Sequence, residues 1–238
     1  MQRVNYDKIA HVYDAPDRLH DVDPNLIAYL DECENLDAAS VAVLDVGCGT
    51  GRQAAANRAT FPDMFIVGSD LFVGMLGVAR KNESRVLWSQ SDGARLGFRE
   101  RTFDFVTNQF SYAHIQDKPG FFAEAFRVLK SGGRFVITNI DPWSMDDWIL
   151  YRFFPAAQEL DHTDFLESDR FVQLLCDAGF ENIHVEREDR SKQEPLGDFS
   201  NYASERHRSS HFIAMTHAHY EEDWKPSRRQ SRITVATT

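Results

Sequence analysis

The chain has 238 residues, of which 42% are hydrophobic and 26% are charged, and its formal net charge is −11 at pH 7. These values are typical of a soluble globular protein and leave room for one large α/β domain with an appended lid. An acidic chain argues against a nucleic-acid partner, because binding to phosphate backbones needs clustered Lys and Arg. No apolar stretch approaches the roughly 20 residues that cross a bilayer, so no membrane span is predicted.

The cellular compartment is inferred from the amino terminus and the cysteines. The first residues are polar and include acidic side chains, so they lack the apolar core of a secretory signal. Cys33, Cys48 and Cys176 are odd in number and far apart, which favours reduced thiols over a disulfide framework or a zinc site. We therefore expect a cytoplasmic protein.

The first elements of the chain are predicted to be helices. Apolar and aromatic residues recur at helical spacing from Tyr6 to Tyr13, so residues 4–14 favour a short helix. Pro24 lies near the start of a second helix, whose apolar residues share one face. Residues 1–35 are therefore interpreted as an amino-terminal helical cap.

A glycine-rich turn follows the first predicted strand. Residues 41–46 form a β-branched apolar run, which is typical of a strand buried on both faces of a parallel sheet. Asp45 lies near the end of this run, which stops at Gly47, Gly49 and Gly51 before a helix-forming sequence. Glycines let a ligand approach the main chain, and the first N–H groups of a helix suit its polar end. The spacing is G-x-G-x-G, whereas the dinucleotide fingerprint is G-x-G-x-x-G.

The sequence DVGCGTG at residues 45–51 resembles the first motif of class I S-adenosylmethionine-dependent methyltransferases. The resemblance continues through Asp70, Asp92, the FDFV strand and EAFRVLKSGGRFVI, and covers residues 6–138. It implies a Rossmann-like α/β fold with a seven-stranded, mostly parallel sheet, helices on both faces and inserted lid segments. It implies the strand order 3-2-1-4-5-7-6, with the last strand antiparallel.

The same resemblance implies S-adenosylmethionine as the cofactor and assigns its contacts. YDKIAHVYD, at residues 6–14, resembles a segment that folds over the cofactor in many small-molecule methyltransferases; a core-facing helical stripe is the alternative. The implied cofactor-binding residues are Tyr13, Asp45, Gly47, Gly49, Asp70, Leu71, Asp92, Gly93 and Asn108.

Two acidic residues after predicted strands suit the adenosyl group. Asp70 follows the second strand, predicted at 64–67, at a spacing from the glycine turn where a carboxylate meets both ribose hydroxyls. It is alternatively a helix N-cap. By resemblance, Leu71 packs on the adenine face, and Asp92 and Gly93, after a third strand, meet the adenine amino group and ring edge. Asp-Gly is alternatively an ordinary turn.

The fourth predicted strand, residues 103–107, delivers Asn108 and His114 to the carboxyl edge of the sheet, where ligands bind in open α/β folds. The main chain at Asn108 is expected to contact the methionine part of the cofactor. Phe110 and Tyr112 are expected to face the methyl-transfer region. His114 is the candidate general base, because imidazole ordinarily titrates near neutrality. A structural histidine bonded to a loop carbonyl is the alternative.

The remaining sequence predicts scaffold elements and two lids. The scaffold elements are a helix ending at the Gly-Gly of residues 132–133, a strand at 134–140, a helix at 168–179 and strands at 182–189 and 232–238. The insertions at 142–167, which is rich in aromatic residues, and 190–230 are interpreted as lids on the acceptor side. His207, His211, His217 and His219 lack the spacing of a metal motif, so no metal is predicted.

We interpret residues 1–238 as one methyltransferase domain that moves a methyl group from S-adenosylmethionine to an oxygen, nitrogen or carbon of a small-molecule acceptor by in-line displacement. The alternatives are an RNA or tRNA methyltransferase that uses the basic segment KPSRRQSR, and a non-catalytic S-adenosylmethionine-binding protein. A nicotinamide-linked oxidoreductase is disfavoured by the glycine spacing. The sequence does not distinguish a monomer from a homodimer.

Overall fold

A computed structural model describes residues 4–14, 21–33, 36–188, 196–205, 209–215 and 220 of the chain. Its strands are β1 (Ala42–Val46), β2 (Phe65–Asp70), β3 (Leu87–Gln90), β4 (Phe103–Gln109) and β5 (Leu129–Thr138). They form one sheet in the order β3-β2-β1-β4-β5, and every pairing is parallel. The predicted fold class is therefore confirmed, as is the predicted order of these five strands.

Helices connect and follow the strands. They are α1 (Pro24–Glu32), α2 (Arg52–Thr60), α3 (Val73–Asn82), α4 (Lys118–Val128), α5 (Ile149–Phe153), α6 (Pro155–Asp164), α7 (Ser168–Ala178), α8 (Leu196–Ser204) and α9 (Ser210–Ala214). Short 3₁₀ turns occur at Tyr6–Lys8, Ala38–Ser40, Tyr112–His114 and Pro142–Ser144. Across the described ranges, no helix is long and apolar enough to traverse a bilayer.

The chain divides into two compact units. The sheet unit consists of Asn5–Asp141 and Asp164–His184, and it contains all five strands. The helical unit consists of Met1–Val4, Pro142–Thr163 and Val185–Thr238, and its described part includes α5, α8, α9 and nearly all of α6.

The sheet is buried on both faces, which explains why β1 is apolar at almost every position. On one face Leu44 packs in a cluster with Phe121 of α4, and residues of α7 belong to the same cluster. On the other face Val43 packs with Leu26 of α1 and Ala54 of α2. Burial of each large apolar side chain contributes about 1.5–3 kcal/mol to folding. This core fixes the carboxyl edge of the strands, where the glycine turn lies.

The helical unit has its own core. Apolar and aromatic side chains of all four of its helices pack together, among them Leu150, Phe154, Phe199 and Phe212. This core also contains a buried hydrogen-bonded network, in which His211 Nε2 lies 2.8 Å from both carboxylate oxygens of Asp161. Tyr151 Oη donates to Asp161 Oδ2 at 2.7 Å, and Ser209 Oγ lies 2.9 Å from His211 Nδ1. Every member of this network therefore has a partner within the unit.

One sequence-based strand and one helix differ from the structure. Residues 182–188 form no strand, although Ile183 and Val185 alternate; Val185 is exposed, and strand propensity without a pairing neighbour is weak. The last predicted strand, 232–238, lies outside the described residues. Residues 4–14 form only the 3₁₀ turn at Tyr6–Lys8. Seven strands are thus not seen in the described part of the chain.

The fourth helix ends earlier than the glycines predict. It stops at Val128, and Gly132 and Gly133 belong to β5. A Cβ on Gly133 would lie 2.9 Å from the carbonyl oxygen of Asp104 in β4, so this glycine permits close approach of two strands. The Gly-Gly pair serves strand pairing and not helix termination.

Candidate functional site

The glycine turn folds back onto the neighbouring strand. Gly47 N and Cys48 N both donate to the carbonyl oxygen of Ser69, at 2.7 and 3.0 Å. Gly47 has a φ of +73°, and a Cβ there would lie 2.0 Å from Ser111 Oγ. Only glycine fits this position, because both the backbone conformation and the packing exclude a side chain. Gly49 also has a positive φ of +55°.

Asp70 joins the glycine turn to the start of α3. Its Oδ2 accepts a hydrogen bond from Gly49 N and its Oδ1 accepts one from Phe72 N, both at 2.8 Å. Burial is the main cause that raises the pKa of this carboxyl. Each oxygen retains lone-pair capacity for a hydroxyl donor, so the geometry is compatible with the ribose interpretation. The capping alternative is wrong, because the N-cap of α3 is Phe72 and no side chain caps this helix. The neighbouring Leu71 is 49% exposed, which leaves its side chain open to a ligand.

Asp45 is a buried carboxylate without a donor. It is 3% exposed, and no hydrogen bond to its oxygens forms among the described residues. Burial, followed by the charges of Asp23 and Asp70, raises the pKa of Asp45 to about 7. A buried charge that lacks both donors and a counter-ion is costly, so this position favours a cationic ligand.

Asn108 supplies a second unsatisfied acceptor nearby in the fold. Its side chain is fully buried, and its Nδ2 donates to the carbonyl oxygen of Val46 and to Ser111 Oγ, at 2.8 and 2.6 Å. Its Oδ1 is buried and has no partner in the described part of the chain. A ligand with cationic and N–H or O–H groups would satisfy both Asn108 and Asp45. S-adenosylmethionine has such groups, so these residues fit the cofactor.

Asp92 and Gly93 form a local turn. Asp92 is exposed, its Oδ1 accepts from Ala94 N at 3.0 Å, and its carbonyl oxygen accepts from Arg95 N at 2.8 Å. The turn alternative is therefore realised, while a contact to adenine stays a prediction. A Cβ on Gly93 would lie 3.0 Å from Ile115 Cδ1, so a larger residue would displace that side chain.

Residues 5–14, here called the strap, are anchored beside the glycine turn. Asp14 Oδ1 accepts from Thr50 Oγ1 at 2.6 Å and pairs with Arg52 Nε at 2.9 Å. Asp7 Oδ1 accepts from a backbone N–H of α3, that of Gly74, at 2.6 Å. These carboxylates hold the strap against the loops that follow β1 and β2.

The strap brings Tyr6 against His114. Tyr6 Oη lies 2.8 Å from His114 Nε2, and their ring centroids are 5.2 Å apart. The Tyr6 ring also contacts Tyr13 and Phe72, with centroid distances of 5.9 and 5.4 Å. Sequence reasoning assigned Tyr6 only to a helical stripe or a covering segment, because a contact across 108 positions leaves no mark in local spacing.

His114 lies on a turn that Lys118 holds. Lys118 Nζ donates to the carbonyl oxygens of Tyr112, Ala113 and Ile115, at 2.7, 3.1 and 2.6 Å. The sequence predicts that Tyr112 faces the methyl-transfer region. This prediction is wrong, because Tyr112 is 1% exposed and packs in the core of the sheet unit. The 3₁₀ turn rotates alternate side chains apart, so His114 is exposed while Tyr112 is buried.

Metal ligation was not predicted, and within the described ranges no group of three His, Cys, Asp or Glu side chains could hold a metal ion. His211 contacts Asp161 in the helical unit. His207, His217 and His219 lie outside the described residues.

Comparisons with known proteins all identify methyltransferases. A family described as a methyltransferase domain matches residues 44–137. The chain is 33% identical over 174 residues to the ubiquinone/menaquinone biosynthesis C-methyltransferase UbiE of Desulfotalea psychrophila, which covers 63% of this chain and 70% of that protein. It is 31% identical over 163 residues to phosphoethanolamine N-methyltransferase 3 of Arabidopsis thaliana, where the match covers 63% of this chain but 30% of that protein.

The fold has a counterpart of known structure. The crystal structure of a S-adenosylmethionine-dependent methyltransferase from Aquifex aeolicus superposes with a TM-score of 0.54 at 21% sequence identity. The match covers 74% of this chain and 89% of that chain. At this identity the likeness concerns the fold alone.

Proposed function

Because the chain belongs to the class I S-adenosylmethionine-dependent methyltransferases, we propose that it moves the methyl group of this cofactor to a small-molecule acceptor. The observation that carries the proposal is the 2.8 Å contact of Tyr6 Oη with His114 Nε2 beside the glycine turn. The contact joins a residue of the strap to one of the turn after β4, and it supports an acid–base role for these two side chains at the edge where ligands bind in this fold.

The cofactor would be held by residues around the carboxyl edge. Asp70 would accept hydrogen bonds from the ribose hydroxyls, Leu71 would contact adenine, and Asp92 and Gly93 would meet its edge. The carboxylate of Asp45 would balance the cationic end of the cofactor. The remaining proposed contacts are Tyr13, Gly47, Gly49 and Asn108. When bound, the cofactor supplies a methyl group that is already activated on a sulfonium.

The protein's chemical task is then alignment and, for some acceptors, proton removal. Positioning two reactants in line accounts for about 7–11 kcal/mol of a barrier. For a hydroxyl acceptor, the proton would pass to His114 Nε2, either directly or through Tyr6 Oη as a relay. A neutral amine or a carboxylate needs no base before transfer. The strap would exclude water from the reacting end.

A small-molecule acceptor is favoured over nucleic acid. The formal net charge of −11 opposes binding to phosphate backbones, and the basic segment KPSRRQSR lies outside the described residues. The named relatives are a C-methyltransferase of ubiquinone and menaquinone biosynthesis and an N-methyltransferase of phosphoethanolamine, and both names indicate small-molecule acceptors. We propose that segments 142–167 and 190–230 serve as acceptor-side lids, and that the protein acts in the cytoplasm, as its three free thiols suggest.

Calorimetry and turnover together test this function. S-adenosylmethionine and S-adenosylhomocysteine are expected to bind, and NAD is expected not to bind. Formation of S-adenosylhomocysteine is then followed with phosphoethanolamine, a demethylquinol and total tRNA as acceptors, with His114→Ala and, as control, His184→Ala. Tight binding of NAD alone would end the methyltransferase interpretation, whereas methylation confined to tRNA would support the RNA alternative. Cofactor binding without turnover on any acceptor in a cell extract would favour a non-catalytic binding protein.

For a hydroxyl acceptor, loss of His114 is expected to lower kcat by about 10²–10⁴-fold with cofactor affinity retained. Near-normal turnover of His114→Ala would remove this residue as the base, while the rest of the proposal would stand.

A further inference from the structure

Asp23 is a fully buried carboxylate that sequence reasoning did not identify. It caps α1, where its Oδ1 accepts from Asn25 N at 2.9 Å and from Asn25 Nδ2 at 3.1 Å. Its Oδ2 accepts from Gln109 Nε2 at 2.8 Å, and Thr107 Oγ1 lies 3.5 Å away. All these donors are neutral, and no cation pairs with Asp23 in the described part of the chain.

The cap alone does not require a charge. Serine, threonine and asparagine cap helices about as well as aspartate, because a single side-chain oxygen is sufficient. A buried ion is costly to desolvate, and hydrogen bonds from neutral donors recover only part of that cost. Capping alone therefore does not explain why the buried residue at position 23 has a charged side chain.

The position of Asp23 relative to the cofactor crevice follows from the sheet register. Thr107 of β4 is the register partner of Asp45 of β1. Partners on neighbouring parallel strands direct their side chains to the same face, about 4.8 Å apart. Asp23 Oδ2, which lies 3.5 Å from Thr107 Oγ1, is therefore on the face of the sheet to which the carboxylate of Asp45 also points. In agreement, the charge of Asp23 contributes to raising the pKa of Asp45.

We propose that Asp23 is a positioning residue whose charge, acting beside Asp45, makes the crevice prefer S-adenosylmethionine over S-adenosylhomocysteine. The inference rests on the proposed function. The substrate form has a cationic sulfonium and an ammonium, whereas the spent form has a neutral thioether and the ammonium. A second buried anion near Asp45 strengthens the negative potential felt by the sulfonium without touching it. The product then has less electrostatic attraction and exchanges more readily for fresh substrate.

The test is a ratio of affinities. Dissociation constants for S-adenosylmethionine, S-adenosylhomocysteine and sinefungin, which has an amino group in place of the methylsulfonium, are measured by calorimetry for the wild type, Asp23→Asn and Asp23→Ser. The measurements are made about 1.5 pH units above the pKa of Asp45, which is about 7, so that Asp45 is ionised in all three proteins. Both variants keep a capping side chain and remove the charge. The ratio of the S-adenosylhomocysteine to the S-adenosylmethionine constant is expected to fall about three- to tenfold, and sinefungin is expected to follow S-adenosylmethionine.

The matched control is Asp104→Asn. Asp104 lies near the amino-terminal end of β4, where its Oδ2 accepts from Ala42 N and Lys130 Nζ. Its removal is expected to leave the ratio unchanged. A merely structural role of Asp23 would weaken all three ligands equally and would leave the ratio within twofold of the wild type, which overturns the inference. If the wild type binds neither form of the cofactor, the proposed function itself fails.

Discussion

Two buried aspartates, one in each unit, have opposite surroundings. Asp161 in the helical unit is 4% exposed and accepts hydrogen bonds from Tyr151 and His211. Asp45 in the sheet unit is 3% exposed, yet no described residue donates to it. The two carboxylates are almost equally buried, so they differ only in whether neighbouring groups donate hydrogen bonds to them. A satisfied buried network stabilises a core, whereas a buried carboxylate that no described residue bonds has oxygens available to a donor or cation from outside the chain.

The largest effect is expected when the satisfied network is broken. Asp161→Ala leaves the Tyr151 hydroxyl and the His211 ring without their acceptor inside the core. The free energy of unfolding of the helical unit is expected to fall by about 3–5 kcal/mol. Urea unfolding followed by tryptophan fluorescence measures it, since Trp148 contacts the His211 ring in this unit. A loss below about 1 kcal/mol would show that the network is not structural.

Substitution of Asp45 is expected to lower ligand affinity and to leave the protein at least as stable as before. Asp45→Asn removes an uncompensated charge, so the stability of the cofactor-free protein is expected to be unchanged or higher. Affinity for S-adenosylmethionine is expected to fall about 30-fold, because the cationic end of the ligand loses its counter-ion. Thermal unfolding with and without the ligand measures both quantities. A large loss of stability with unchanged affinity would reverse our assignment of the two aspartates.

The pH dependence of binding sharpens the comparison further. The pKa of Asp45 is about 7 in the cofactor-free protein, so this carboxyl binds a proton below pH 7 and is ionised above it. A cationic ligand prefers the ionised form; affinity for S-adenosylmethionine is therefore expected to rise about tenfold from pH 6 to pH 8 and then level. Calorimetry in buffers of different ionisation enthalpy counts the released proton. The dependence should vanish in Asp45→Asn, and a persistent slope there would point to another group.

The smallest effect is expected for Asp14, which is partly exposed and well paired. Asp14→Asn weakens the ion pair with Arg52 that anchors the strap, and exposed pairs contribute about 0.2–1 kcal/mol. The dissociation rate of S-adenosylmethionine, measured by stopped-flow, is expected to rise about threefold with little change in overall stability. An unchanged rate would mean that the strap does not cover the bound ligand.

Much of the scaffold could be predicted from the sequence. The glycine turn and the five strands follow from glycine spacing and apolar runs, and the order of the strands follows from the family resemblance. Local sequence patterns gave wrong secondary structure where a neighbouring strand in space decides the conformation. Residues 182–188 alternate like a strand but have no described neighbour, and Gly133 looks like a helix terminator but permits two strands to approach.

The sequence by itself determined where backbone geometry is special, because glycine, proline and apolar periodicity act on the chain locally. Only the tertiary structure decided which polar groups meet. Tyr6 reaches His114, Asp23 reaches Thr107 and Gln109, and Asp161 reaches His211 across long stretches of sequence. The physical reason is that the cost of a buried polar group depends on its neighbours in space, and spacing along the chain does not reveal those neighbours.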